Sequence, residues 1–429
     1  MQMTIAQKIL SRRVGRPVDL GEIIMPEAEL VTCHDWYAAN FAKALEDADV
    51  DALYDPERVL ISTDHEPVAV SPRAAERQKR VREVAQKFSI KHFYDVGRGG
   101  LGHVFPVEKG FVRPGMYVAG YDTHVTSFGA VGALGIAVLT EVSELLALGS
   151  VWVSVPETVR INLTGKMPHG VTIRDVAQKL ICEIDSDLID DAVVEFGGPA
   201  LASIGIDGRY TLCNTPTEIG ARSSIVEPDA KVAEFYQERG YGSVDLVTAD
   251  KDAQYRAVIE FDIGLLEPQV AVPPRPDKVV GVSEVAGKQI NHAYIGSCAS
   301  GLLEDMRITA NILRDRKVNP SVRLFVTPAT TEIAEAASKE GLIDTMIQAG
   351  AVMTAPGCGV CAGGRIGSVA SGEVSIGTGT RNDPGRLGAH DASLYIASPA
   401  TVAASAITGK ITDPRELMGE ATEKEAAHG

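Results

Sequence analysis

Three cysteines have the residue type and spacing that most directly suggest chemistry. Cys298 lies in the segment YIGSC at the end of an apolar run, and Cys358 and Cys361 form a C-x-x-C pair in PGCGVC. Three thiolates leave one position of a metal centre without a protein ligand, so substrate or water can bind there. Flanking glycines would let backbone N–H groups approach the sulfides of an iron–sulfur cluster; they are Gly296, Gly357, Gly359, Gly363 and Gly364.

Two alternative roles of these cysteines stay open on the residues alone. They could be buried structural cysteines, because free cysteine is often found in protein cores. They could also hold zinc, with a histidine as the fourth ligand. The remaining cysteines, Cys33, Cys182 and Cys213, lie in apolar sequence surroundings, and we predict that they are core residues.

The composition narrows the class of protein. The chain has 429 residues, 45% of them hydrophobic, so it can bury a large core and is expected to form about two to four domains. Its formal net charge of −16 argues against nucleic-acid binding, which needs clustered Lys and Arg. Six cysteines are too few for a disulfide scaffold. The first residues show no signal peptide, and we expect a cytoplasmic protein that binds no membrane.

Strand and helix patterns alternate along the chain. Short apolar runs predict buried strands at His292–Ile295 and Val322–Val326. Helices are predicted to follow them, at Leu302–Leu313 and over residues 327–350. A separate amphipathic pattern predicts a surface helix from Arg77 to Phe88. Because strands alternate with helices, we predict an α/β fold with parallel layers.

Two further stretches bear on the domain organisation. Gly129–Leu148 is rich in Gly and Ala and is interrupted by glutamates, so it predicts a buried helix and not a membrane span. The proline-rich stretch Glu267–Gly281 predicts an extended connection between domains. Together with a weaker change of composition near residue 167, it suggests three domains, at residues 1–167, 168–285 and 286–429.

Several segments resemble the aconitase superfamily and follow one another in the same order. They are YIGSC and PGCGVC with the cysteines, YDTHVTSFGAVGALG around Asp122, and TRNDPGR, which begins at Thr380. The resemblance is closest to large subunits of the isopropylmalate isomerase type and covers nearly the whole chain. It implies an α/β fold of three α/β/α layered domains around a central cluster, without the fourth, swivelling domain of the superfamily.

Enzymes of this superfamily reversibly dehydrate and rehydrate hydroxy-diacids or triacids. The resemblance therefore implies a [4Fe–4S] cluster on Cys298, Cys358 and Cys361. Its iron without a thiolate acts as a Lewis acid on the leaving hydroxyl and on a substrate carboxylate. The implied substrate is a small hydroxy-diacid of the malate-derivative type, for example isopropylmalate, citramalate or dimethylmalate.

A positioned acid must deliver a proton to the leaving hydroxyl. The pair Asp64 and His65, in STDHEPV, resembles the family pair that orients this acid. His103, in GGLGHVFP, matches a second family histidine. Asp122 and His124 match the first and last residues of the Asp-Ser-His segment of the family. The resemblance implies that these five residues form the acid side of the catalytic site.

The remaining implied site residues bind substrate or lie near the open iron. Asn214 and Glu218, in CNTPTEIG, match family residues close to that iron, Glu218 with a catalytic role. Arg381 and Arg386, in TRNDPGR, match two family arginines that bind carboxylates. The hydroxyl of Thr123 is implied to bind substrate. Taken singly, each of these segments would be an ordinary helix start, turn or surface loop.

Several positions differ from the family pattern. Tyr121 and Thr123 stand where the family has Gly and Ser, which narrows the pocket. The segment Ala299–Leu302 follows the first cysteine, where the family has Thr-Asn-Ser, so polar groups are lost and an apolar residue is gained. Ala38 and Ala39 lie where a family Gln is expected. These differences lie in the pocket and indicate a smaller or differently substituted diacid.

The sequence has no Gly-Ser-Ser-Arg segment, which carries the serine base of the family in its swivelling domain. We therefore expect a separate small subunit to supply that serine and the chain to be active only with this partner. Three alternatives remain: the same fold with a mononuclear iron or [2Fe–2S] centre, a structural zinc protein, and an iron sensor that binds RNA without its cluster. The acidic charge argues against the last.

Overall fold

A computed structural model describes residues 2–363 and 366–419. The α-helices, α1 to α14 in chain order, are Ile5–Val14, Ala38–Asp47, Pro72–Lys87, Phe105–Glu108, Val142–Leu148, Ile173–Glu183, Ser186–Ile189, Ile206–Asn214, Ala230–Glu238, Val282–Val285, Leu303–Leu313, Thr331–Lys339, Leu342–Ala349 and Pro399–Thr408. The β-strands, β1 to β18, are Ile23–Ile24, Leu30–His34, Val59–Ser62, His92–Tyr94, Tyr117–Gly120, Leu134–Ala137, Val153–Ser154, Thr158–Thr164, Val193–Gly197, Ser223–Val226, Ala257–Asp262, Gln269–Ala271, Val279–Gly281, His292–Ile295, Arg323–Val326, Val352–Met353, Val374–Gly377 and Ser393–Ala397.

The chain divides into two compact units, each assembled from several segments. The first unit contains Met1–Asn162, Ser186–Gly198 and Ile219–Glu260. The second unit contains Leu163–Asp185, Pro199–Glu218 and Phe261–Gly429. The division into three domains at residues 1–167, 168–285 and 286–429 stays a prediction.

A five-stranded sheet with the order β4-β3-β2-β5-β6 forms the centre of the first unit. Its neighbouring strands are parallel; for example, Thr32 pairs with Leu60 on one side and Gly120 on the other. Every residue of β2, β3 and β5 is buried, as expected for a parallel sheet covered on both faces. Helix α1 starts at a capping box of Thr4 and Gln7, which satisfies free N–H groups at the helix start.

A second sheet, with the order β10-β9-β8-β11, lies mainly in the same unit. Glu195 on β9 is fully buried and is paired, because Arg160 Nη1 lies 2.7 Å from its carboxylate and Tyr255 donates to it at 2.6 Å. The same carboxylate accepts the backbone N–H of Ile5 at 3.1 Å. These bonds satisfy a charge that would otherwise be costly to bury and attach the start of α1 to the sheet.

The second unit is built on a seven-stranded sheet with the order β13-β12-β18-β17-β14-β15-β16. Strands β14 to β18 pair in parallel, whereas β12 pairs antiparallel with β13 and β18. Because β14 to β17 are parallel, their carboxyl ends lie at one edge of the sheet. In parallel α/β sheets, that edge is where ligands bind.

Most of the predicted elements agree with the structure, and three do not. Residues 327–350 form two helices, because Gly341 adopts a left-handed conformation (φ 73°) between α12 and α13. Gly129–Leu148 is not one helix: a 3₁₀ turn ends at Gly132 (φ 82°), and β6 and α5 follow. Apolar periodicity alone does not separate a short buried strand from a buried helix. Glu267–Gly281 is not an extended connection, because it contains the antiparallel pair of β12 and β13.

The other three cysteines, Cys33, Cys182 and Cys213, differ in how deeply they are buried. Cys33 and Cys213 are buried, as predicted, but Cys182 is exposed. Cys182 lies in the last turn of α6, where its thiol reaches the carbonyl of Val279 at 3.6 Å. The prediction that Cys182 is a core residue was therefore wrong. Apolar neighbours in sequence do not decide which face of a helix a residue occupies.

Candidate active site

The sequence-predicted acid residues of the first unit meet at the carboxyl edge of its five-stranded sheet. Strand β2 ends at His34, and Asp64 and His65 follow β3 closely. Asp122 follows β5 in the same way. Because β3, β2 and β5 are adjacent and parallel, these three strand ends bring their side chains together.

Asp64 and His65 form a buried hydrogen-bonded pair. His65 Nδ1 lies 2.7 Å from Asp64 Oδ1, and Asp64 Oδ2 accepts the backbone N–H of Gly102 at 2.7 Å. Burial alone would lower the pKa of His65, but the charge and hydrogen bond of Asp64 raise it to about 9. His65 is therefore a protonated side chain at neutral pH, held by an ionised carboxylate.

Three histidine side chains surround the carboxylate of Asp122. Its carboxylate lies 3.2 Å from His103 Nε2, 3.2 Å from His124 Nδ1 and 3.4 Å from His34 Nε2. Burial alone would raise the pKa of Asp122, but the interactions with His103, His124 and His34 hold this pKa well below its usual range. Asp122 is thus an ionised acceptor that orients the imidazoles around it. Thr123 next to it is exposed.

Two residues of this cluster were not among the sequence-predicted site residues. Asp35 is buried and accepts the backbone N–H groups of His65 at 3.2 Å and Glu66 at 3.0 Å. Burial raises the pKa of Asp35 to about 6. The ring of His34 stacks on His65 with centroids 4.0 Å apart. The signal that could have found them is their place directly at the end of the buried run LVTCH.

The cysteine-bearing loops belong to the second unit and follow the carboxyl ends of its parallel strands. Cys298 lies in a tight turn after β14, in which Ser297 and Ser300 bond to each other through their backbones. Cys358 and Cys361 lie after β16; Cys358 directly precedes the 3₁₀ turn Gly359–Cys361, and Cys361 is its last residue. All three cysteines are buried.

Both loops pack against Thr327, at the end of β15. A Cβ on Gly296 or Gly301, which flank Cys298, would collide with the backbone of Thr327. A Cβ on Gly359, between the C-x-x-C cysteines, would collide with the side chain of Thr327. These glycines therefore permit the two loops to approach one residue closely. Gly357 and Gly363 also have positive φ, and Gly364 lies outside the described residues.

Two buried arginines interact with the cysteines. Arg386 bonds to Cys361, and although burial would lower the pKa of Arg386, Cys361 and Cys298 raise it. Arg174, which was not predicted, is nearly fully buried and interacts electrostatically with the same two cysteines. Within the described residues, Nε of Arg386 and Nε and Nη1 of Arg174 have no hydrogen-bond partner.

This donor set fits an iron–sulfur centre. Three buried thiols are soft ligands of the kind that hold such clusters, and the guanidinium groups of Arg174 and Arg386 interact with two of them, Cys298 and Cys361. The unpartnered guanidinium N–H groups are suited to acceptors such as cluster sulfides or a carboxylate. Iron–sulfur chemistry is therefore compatible with the residues that surround Cys298 and Cys361.

The remaining predicted residues of the second unit lie near these loops or at their margin. Asn214 is buried, with its Oδ1 3.8 Å from the sulfur of Cys298. Glu218 lies 3.8 Å from Arg381 Nε. Arg381 is half-exposed and also bonds to Asp383 at 3.0 Å. The structure thus brings Asn214 to a cysteine and pairs Glu218 with Arg381.

Comparison with known proteins places the chain in a family. The family model of the aconitase family (aconitate hydratase) matches residues 38–289 and 283–409. The chain belongs to the aconitase family. This confirms the predicted family, and the predicted class of enzyme, a hydro-lyase, is confirmed by named relatives. In the part of the chain that the structure describes, no helix has the length and hydropathy needed to cross a membrane.

Relatives of this aconitase-family chain match it over almost its full length. It is 40% identical over 419 residues to a 3-isopropylmalate dehydratase large subunit 1 of Methanopyrus kandleri, covering 97% of this chain and 100% of the relative. It is 40% identical over 425 residues to a homoaconitase large subunit of Thermus thermophilus, covering 98% and 99%. The crystal structure of aconitase X (holo-form) of Thermococcus kodakaraensis matches with a TM-score of 0.52 and 12% identity over 88% of this chain and 90% of that one, which confirms the fold.

Proposed function

We propose that this chain is the iron–sulfur, large subunit of a hydro-lyase that reversibly dehydrates or isomerises a small hydroxy-diacid. The expected substrate is a malate derivative such as isopropylmalate, citramalate or dimethylmalate. The observation that carries the proposal is the set of three buried cysteines, two of which, Cys298 and Cys361, interact with the buried Arg174 and Arg386. The names of the relatives, dehydratase and homoaconitase large subunits, support the same class of reaction.

Cys298, Cys358 and Cys361 would hold a [4Fe–4S] cluster. When bound, such a cluster supplies a Lewis acid for the hydroxyl and a carboxylate of the substrate. Asn214, 3.8 Å from the sulfur of Cys298, keeps a polar group beside this ligand. Glu218, which lies 3.8 Å from Arg381, would accept a hydrogen bond from the hydroxyl that leaves.

The acid side of the reaction belongs to the histidine and aspartate cluster. His65 is the proposed proton donor, because the carboxylate of Asp64 keeps it protonated at neutral pH. Asp122 fixes the orientation of His103 and His124 through its carboxylate. Because the pKa of His65 lies above neutral pH, His65 keeps its proton until the leaving hydroxyl accepts it.

Substrate carboxylates would be bound by Arg386 and Arg381. A guanidinium can donate two parallel N–H bonds to one carboxylate. Arg386 has a free Nε within the described residues, and the exposed Thr123 can add a hydroxyl bond. A separate small subunit would supply the serine that removes the C–H proton.

The centre can be tested on the purified chain after anaerobic reconstitution. We expect about four iron and four sulfide per chain, and a three-iron EPR signal after mild oxidation that disappears when ferrous iron is restored. Cys298→Ser should abolish this signal, whereas Cys182→Ser should keep it, because Cys182 is exposed on α6. Zinc, or iron without sulfide, would overturn the proposal and indicate a mononuclear or zinc centre.

A further inference from the structure

Three aromatic side chains lie beside the proposed proton donor and are called the aromatic wall here: Trp36, Tyr37 and Tyr121. The ring of Trp36 lies 4.7 Å from that of His65, measured between centroids. Tyr37 lies 4.6 Å from His34 and 4.9 Å from Tyr121. With the stacked rings of His34 and His65, the wall forms one continuous group of five rings.

The wall differs from core aromatics because solvent reaches it. Tyr37 is 38% exposed, and Trp36 and Tyr121 are half-buried. The hydroxyl of Tyr121 interacts with the side chain of Asn40. Large aromatic surface left partly in water next to a catalytic group is more consistent with a binding surface than with packing alone.

The charges around the wall select against an additional acidic group. Asp35 and Asp64 are buried within the same cluster, and the pKa of the neighbouring Asp122 lies well below its usual range because histidines surround it. A carboxylate on the wall would lose water and face the negative surfaces of the rings, and the positive charge of the nearby His65 is already paired with Asp64 at 2.7 Å. A hydrocarbon group would instead gain the free energy of leaving water.

We propose that the substrate carries a hydrocarbon substituent that packs on Trp36, Tyr37 and Tyr121, so that these residues set the specificity for alkyl- or arylmalates over tricarboxylates. This inference rests on the proposed function, in which His65 protonates the leaving hydroxyl. The wall then binds the part of the substrate that lies next to the carbon that loses the hydroxyl.

Binding measurements test the proposal without requiring turnover. Calorimetric titration of the reconstituted holoenzyme would compare malate, 3-isopropylmalate, benzylmalate and homocitrate. We expect 3-isopropylmalate and benzylmalate to bind roughly ten- to a hundredfold more tightly than malate, and homocitrate to bind no better than malate. Trp36→Ala should remove most of this difference, whereas Trp36→Phe should keep most of it.

The chain offers a matched control, because its second tryptophan, Trp152, is 53% exposed in another part of the first unit. Trp152→Ala should leave the affinities for all four acids unchanged. In a Trp152→Phe background, the fluorescence of Trp36 should change on titration with benzylmalate. No change of that fluorescence at saturating benzylmalate would overturn the proposal.

The outcomes separate this inference from the proposed function. Equal affinities for malate and 3-isopropylmalate with normal dehydration of both would overturn the role of the wall and leave the proposed function standing. Tight, Trp36-dependent binding of alkylmalates without any dehydration would support the wall and overturn the proposed function. Preference for homocitrate, or an equal effect of Trp36→Ala on every acid, would also count against the wall.

Discussion

His65 retains its proton more firmly than an ordinary histidine because carboxylates surround it. Its Nδ1 lies 2.7 Å from Asp64 and 3.7 Å from Asp35. The folded-state pKa of about 9 lies above the ordinary value of 6.5. Since the folded pKa is raised, the linked stabilisation is fully present below about pH 6.5 and is lost as the pH rises through about 9.

We predict that the unfolding free energy of the wild-type chain, relative to His65→Gln, falls by on the order of 3 kcal/mol between about pH 6.5 and about pH 10. Titrating groups that do not contact His65 are common to both proteins and cancel in the difference, whereas Asp35 and Asp64 titrate together with His65 and contribute to it. Denaturant titrations at the two pH values measure it. A difference that does not change with pH would contradict a protonated, carboxylate-held His65.

Asp35 holds the backbone from which His65 projects. Because it accepts two backbone N–H groups while nearly fully buried, Asp35→Ala would leave both donors without an acceptor. We predict a loss of about 2–4 kcal/mol in unfolding free energy, measured by urea denaturation. The exposed Asp51 provides the control: Asp51→Ala should cost less than about 0.5 kcal/mol. Similar losses in both variants would contradict this role.

The grouping of the acid residues was more predictable from sequence than the residues that support them. The motifs named Asp64, His65, His103, Asp122 and His124, and the structure places them in one cluster. Asp35 and Arg174 were missed because their roles depend on which strands and helices become neighbours. That order is set by pairings distant in the chain, which local sequence does not contain.

At the scale of elements, the predicted strands and helices agreed best with the structure where a buried strand precedes a capped helix. His292–Ile295 followed by Leu303–Leu313 agrees closely with the prediction. The glycine-rich stretch Gly129–Leu148 was misassigned because its apolar residues suit a helix and a strand equally. Which of the two forms depends on packing with the rest of the chain. A Cβ on Gly135 would collide with the backbone of Val125, so β6 packs tightly against the preceding 3₁₀ turn.

The loop after β14 positions Cys298 through glycines that have no room for a side chain. Gly296 has φ 118°, and a Cβ there would collide with the carbonyl of Thr327. We predict that Gly296→Ala displaces the Cys298 turn, costs more than about 2 kcal/mol of unfolding free energy, and lowers the iron bound after reconstitution by more than half. Thermal unfolding and iron analysis of the variant measure both effects.

Gly287 is the matched control for that loop. It also has positive φ, 88°, but a Cβ there meets open space. Gly287→Ala should therefore cost about 1 kcal/mol from the backbone conformation alone and keep the full iron content. If both variants retained iron equally, close packing on Thr327 would not be what positions Cys298.

At the scale of the whole molecule, the same fold is formed by sequences that share few residues. Aconitase X shares the architecture over 88% of this chain at 12% identity, so the arrangement of layers persists while the side chains change. Function has to be argued from the site for this reason. Here the cysteines, the histidine cluster and the aromatic wall carry that argument.

The proposed reaction needs a base that removes a C–H proton, in addition to the acid that protonates the hydroxyl. The pKa values of Asp64 and Asp122 are lowered by neighbouring histidines, which makes these carboxylates weak bases for a carbon acid. The relatives that match nearly the full chain are large subunits by name. Both observations favour a base that comes from a partner.

We predict that the reconstituted chain alone dehydrates 3-isopropylmalate at least about a hundredfold more slowly than the same chain mixed with its small subunit, because general-base catalysis contributes about 10²–10⁴-fold. Formation of the unsaturated product, followed by its ultraviolet absorbance under anaerobic conditions, measures both rates. Iron and sulfide are counted in each sample, so that slow turnover cannot be attributed to a missing cluster. Equal rates with and without the small subunit would show that this chain contains its own base.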